Sequence, residues 1–131
     1  MRNRAAFLRI VLPANGIVDL LCAAVLLVLP RLNVPLLGYD AFDLQGTFMA
    51  GGWGIATLAL GVTRIYASTR PETHGAMLLL GVVEGTCLAV FCIAYLLGAK
   101  ITITQALLPL MVGSVFGVSY LVCAVKEWSN A

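Results

Sequence analysis

The sequence predicts an all-α polytopic membrane protein, a single domain over residues 1–131 built as a four-transmembrane-helix bundle with the N and C termini cytoplasmic. Three observations carry this. Only 11% of the residues are charged and 61% are hydrophobic, against about 25% charged in an ordinary soluble domain. Apolar stretches of about 20 residues, the length that crosses a bilayer core as helix, recur along the chain. Lys and Arg fall unevenly on the alternating ends of those stretches, as they do in membrane proteins of fixed orientation.

The first span covers residues 5–29. Arg2, Arg4 and Arg9 precede or open it, as in a signal peptide. The apolar run continues to Leu29, too long for a signal core, and no small-x-small site closes it, so it reads as a retained helix ended by Pro30. A loop from Arg31 to Asp43 follows, whose tail LLGYDAFD suggests a short interfacial helix over the outer mouth. Asp40 or Asp43 is placed to cap the second span, residues 44–66. A polar turn, STRPETHG, leads to the third span, residues 75–97, which Gly98 ends. The fourth covers residues 104–125. Each span is helical because lipid offers its backbone no partners, and none alternates as a barrel strand does.

Orientation follows from the cations. Arg2, Arg4, Arg9, Arg64, Arg70 and Lys126 share one side; Arg31 and Lys100 share the other. The richer side is cytoplasmic, which predicts a multi-pass protein of a bacterial inner (cytoplasmic) membrane. Tyr66 and Trp128 stand at the inner interface, and Tyr39 and Tyr95 at the outer one. Arg9 and Arg64 are expected to snorkel, since counting from the span ends places them only ~6 and ~3 Å inside.

Small residues mark the packing faces. Gly46, Gly51, Gly52, Gly54 and Gly61 lie in the second span, Gly81 and Gly85 in the third, and Gly113 and Gly117 in the fourth. Spacing of four lets helix backbones approach, within the bundle or against a homo-oligomer or partner membrane subunit. Pro13 and Pro109 bend their spans. Cys22, Cys87, Cys92 and Cys123 form no C-x-x-C and read as buried weakly polar hydrophobes. A Cys22–Cys92 disulfide is open to the chain but not indicated.

The polar residues inside the spans carry any chemistry. At ~1.5 Å per residue, Asn15, Thr57, Glu84 and Ser114 fall in one layer ~14–16 Å deep, and Asp19 lies one turn further out, level with Trp53. An acid at such depth costs roughly 2.5–3.5 kcal/mol on insertion scales unless paired, protonated or hydrated. Two readings follow. In one, the layer is a hydrogen-bonded structural cluster, with Asp19 bonded to Trp53. In the other, Asp19 and Glu84 are catalytic carboxylates, one giving a proton and the other taking one or stabilising positive charge. Asn15, Trp53, Thr57 and Ser114 then line the substrate, a lipophilic small molecule.

Other classes find no support. The net charge of +2 comes from scattered residues, so no nucleic-acid partner is expected. His74, the single histidine, reads as a loop residue, so a bis-histidine haem or di-iron site is excluded. No cofactor or metal is expected.

The plan resembles the small bacterial four-helix membrane proteins of the DoxX-like and BphX-like group. The resemblance is carried by FLRIVLPANGIVDLLCAAVLLVLP and by the glycine-rich AGGWGIATLALGVTRIYA. It covers nearly the whole chain in plan, with unspecific motifs, and transfers no catalytic residue. It implies a four-helix bundle, in some members an accessory to an oxidoreductase or a biosynthetic cluster. Small multidrug transporters are similar in size and in an acid in the first span, but Glu84 and the charge bias depart from a dual-topology transporter. Sterol isomerases and their receptor relatives are similar only in paired acids within a small helical bundle. The expected function is acid–base chemistry on a lipophilic small molecule by an isomerase or cyclase. The alternatives are a non-catalytic accessory or scaffold subunit and a proton- or cation-coupled exporter.

Overall fold

The computed structural model describes residues 2–28, 40 and 42–128. It contains four long helices: α1, Arg2–Val28; α2, Leu44–Ser68; α3, His74–Leu97; and α4, Ile103–Trp128, with a 3-10 turn, Pro71–Thr73, leading into α3. All four are long and apolar enough to cross a membrane. Large apolar side chains remain exposed on every one of them, among them Ile10, Trp53, Phe91 and Val115. Lipid, not water, is the solvent that accepts such surfaces.

The helices start and stop close to the expected positions. Asp43 caps α2: its extended backbone (φ −68°, ψ −177°) lets Oδ1 accept from the Gly46 N–H at 2.6 Å. The end of α3 differs in detail from its sequence signal. Gly98 has an ordinary φ of −78°, and Ala99 is the left-handed residue, at φ 52°. Ala99 N–H donates to the Leu96 carbonyl and Lys100 N–H to the Tyr95 carbonyl, the paired bonds of a Schellman stop. The start of α4 comes one residue before the expected Thr104, because Thr102 and Gln105 form a reciprocal capping box. Thr102 N–H donates to Gln105 Oε1 at 2.8 Å, and Gln105 N–H to Thr102 Oγ1 at 3.4 Å. His74, expected in the loop, is the first residue of α3 and is buried, with an Nε2 that makes no hydrogen bond. The outer loop's expected interfacial helix and Tyr39 fall outside the described residues, as do the side chains of Lys126 and Trp128.

The described chain packs as two compact units. Leu8–Arg70 forms one, and the other holds the 3-10 turn, α3, α4 and the first turns of α1. In the first, α1 and α2 run antiparallel and meet at glycine: a Cβ on Gly16 would stand 2.8 Å from the Gly61 carbonyl oxygen, and one on Gly61 2.8 Å from that of Gly16. Further along, Gly54 receives Leu26 and Leu27. In the second unit Gly85 faces the Gly113–Gly117 pair. A Cβ on Gly85 would reach the Gly117 Cα at 2.5 Å and the Gly113 carbonyl oxygen at 2.8 Å, while Gly81 lies under the ring of the fully buried Tyr120. These glycines serve contact within the chain, as small-x-x-x-small pairs do when backbones pack in lipid.

Two aromatic rings pair with cations near helix ends. The Arg70 guanidinium stacks 4.3 Å above the centre of the Tyr66 ring, and Lys100 Nζ lies 5.6 Å from that of Tyr95. Cys92 and Cys123 are buried, Cys22 is half-buried and Cys87 is exposed.

Candidate functional site

The polar centre of the α1–α2 unit is an ion pair that sequence counting missed. Arg64 Nη1 donates to Asp19 Oδ2 across 45 residues of chain. Both residues are buried, Arg64 at 1% and Asp19 at 5% exposure, and Arg64 is the largest fully buried side chain described. Asn15, one turn before Asp19 on the same face of α1, is buried at 3%.

Two local repeats build this pair. Asp19 follows Gly16 by three residues in GIVD, and Arg64 follows Gly61 by three in GVTR. Because the helices run antiparallel and each glycine lies against the other helix's charged residue, Asp19 and Arg64 start on opposite sides of the contact, offset along the axes. Helical side chains lean toward their own N-terminus. Asp19 and Arg64 therefore lean toward each other, past two residues that have no side chain to obstruct them. A Cβ on Gly16 would lie 3.3 Å from the Arg64 Cβ, and one on Gly61 3.1 Å from the Asp19 Cβ. Only a long cation closes such a gap to a short carboxylate.

This geometry corrects two expectations. Arg64 does not snorkel to the interface; its guanidinium is turned inward. Asp19 is held by Arg64 rather than by Trp53, whose side chain is 67% exposed. Depth along a single span does not contain the register of its neighbour. In the structure Arg64 stands level with Gly16, since each approaches the other closely across the helix contact.

The remaining expected site residues are placed as follows. Thr57 is half-buried, and its hydroxyl donates to the Trp53 carbonyl of its own helix at 2.8 Å. Trp53 lines a shallow open groove on α2 with Phe48, Met49, Gly52 and Ala56. Ser114 is exposed on α4. Glu84 is half-buried on α3, in the second unit, and has an interaction of its own. Arg9 is exposed.

Chemically, the pair is a neutral dipole inside an apolar span. It presents guanidinium N–H donors and carboxylate acceptors side by side. As an ion pair, Asp19 is an acceptor and a negative charge, not a proton donor. Among the described residues, no three His, Cys, Asp or Glu side chains gather as metal ligands would. Family models, curated proteins and solved structures contain no match to this chain.

Proposed function

We propose that the protein is a membrane-embedded receptacle for a lipophilic small molecule, whose polar group is engaged at Asp19, Arg64 and Asn15. The observation that carries this is the buried Asp19–Arg64 pair. A buried ion pair is poor evidence of stability, since apolar residues of similar volume do as well or better. Ionisable residues within a membrane span are functional candidates for that reason.

The finer proposal is acid–base chemistry of the isomerase or cyclase kind, with Asp19 and Glu84 as its catalytic carboxylates. One of the two gives a proton and the other takes one or stabilises positive charge. Trp53, Thr57 and Ser114 enter this proposal as substrate contacts. The chain is placed in a bacterial inner membrane with both ends cytoplasmic. With Arg64 neutralised by Asp19, Arg2, Arg4, Arg9, Arg70 and Lys126 still outweigh Arg31 and Lys100. Kinship with the DoxX-like and BphX-like group remains part of the proposal.

The test is native mass spectrometry of the protein purified from its own membranes. The wild type retains a lipophilic compound, the neutral double variant Asp19→Asn/Arg64→Gln loses it, and Glu84→Gln retains it but leaves it unconverted. A wild type free of any such compound, with both variants silent in every phenotype, refutes the proposal.

A second reading, a non-catalytic accessory or scaffold subunit, is favoured by the α2 groove. A Cβ on Gly51 or Gly52 would meet nothing within 4 Å, and Trp53 and Phe48 flank that opening. In that case Gly52→Ile abolishes co-purification of a partner helix, while Asp19→Asn leaves it intact.

A further inference from the structure

We infer that the ligand engaged at the Asp19–Arg64 pair carries a carboxylic acid head on an apolar body, as a long-chain fatty acid does. This rests on the proposed receptacle and narrows its ligand to one chemical class.

The argument is one of charge. Arg64 and Asp19 are both more than nine-tenths buried and sum to zero charge. Whatever engages them must leave that sum unchanged, because a lone charge in an apolar interior is heavily penalised. A lipophilic cation that captures Asp19 releases Arg64 and leaves a net positive charge behind. An alcohol adds one hydrogen bond and displaces neither partner.

A neutral carboxylic acid does better. Its O–H bond breaks as the proton passes to the Asp19 carboxylate, where a new O–H bond forms. The ligand's carboxylate then takes the place of Asp19 on the guanidinium. One proton has moved, no charge has entered or left, and no other reactant is needed. The guanidinium receives a carboxylate as a planar fork, with two parallel charge-assisted hydrogen bonds. The exchange also leaves Asp19 in its acid form beside the newly bound molecule.

The experiment uses the full chain in nanodiscs of zwitterionic lipid. They are titrated with hexadecanoic acid, hexadecanol and hexadecyltrimethylammonium, three probes of one chain length, and binding is measured net of empty discs. The acid is expected to bind about ten-fold more tightly than the alcohol, the margin of one charge-assisted bond, and the cation is expected to bind weakest. Because a single change at either residue strands its partner, the control is the neutral double variant Asp19→Asn/Arg64→Gln. It should fold and bind acid and alcohol alike. Equal binding of acid and alcohol by the wild type, or a preference for acid that survives in the double variant, overturns the inference and leaves the receptacle standing. Failure of all three probes to bind overturns both.

Discussion

Replacing Gly85 with alanine tests the packing of α3 on α4 at its tightest point. The added Cβ would stand 2.5 Å from the Gly117 Cα, 2.8 Å from the Gly113 carbonyl oxygen and 2.9 Å from the Gly117 nitrogen. All three are backbone atoms, so no rotamer change relieves the clash. Ordinary contact begins at 3.4 Å, so the helices must part by 0.9 Å, the difference between 3.4 and 2.5 Å. A gap of ~0.5–1 Å forfeits a quarter to a half of each dispersion contact along the seam. In lipid that packing is most of what joins two helices. Overpacking costs about 1–3 kcal/mol, and alanine's better helix propensity returns about 0.5–1 kcal/mol. The expected net loss is about 1–2 kcal/mol. Gly52→Ala is the internal control, because its Cβ meets nothing within 4 Å; it should be neutral or gain about 0.5 kcal/mol. Reversible SDS unfolding in mixed micelles, followed by circular dichroism, measures both. Equal stability of the two variants would refute the claim that this backbone contact holds the hairpin.

Three further outcomes are expected. In a double-mutant cycle by the same unfolding assay, Arg64→Gln or Asp19→Asn alone costs about 3–5 kcal/mol, and the double variant recovers most of it; additive losses would mean the pair is not coupled. Ala99→Gly removes the left-handed strain at the end of α3 and stabilises by about 1 kcal/mol, whereas Gly98→Ala, at an ordinary φ, has no such effect. Asp43→Ala deprives the Gly46 N–H of its acceptor and costs about 1 kcal/mol, seen as earlier amide exchange in the first turn of α2.

The four spans were legible because lipid demands length and apolarity together, and 61% hydrophobic composition leaves few other ways to read the chain. The Asp43 cap was legible from the same local chemistry. Gly98 marked the right place for α3 to stop but not the residue that turns left-handed, because sequence weighs only the glycine while the hydrogen bonds choose Ala99. TITQ spells a capping box, a polar signal to which a span's apolar length is blind. Arg64 was misread for a geometric reason. Depth measured from a span's end ignores the register of the neighbouring helix, and register is set by Gly16 against Gly61. The signal that could have found the pair is the twin spacing GIVD and GVTR, an acid and a base each three residues after a glycine. Thr57 shows the other limit. Its hydroxyl is satisfied by its own helix, an option open to every Thr in a span and invisible to an argument about layers.

The distance along the chain between Asp19 and Arg64 also bears on how the protein is made. Forty-five residues separate them, so α1 leaves the ribosome long before its counter-charge exists. Partitioned alone into lipid, each helix would carry its charge at a cost of about 2.5–3.5 kcal/mol. Side by side as a hairpin, each offsets part of the other's cost. Each of α1 and α2 is therefore a poorer membrane span alone than beside the other, and insertion of α1 is expected to depend on the presence of α2.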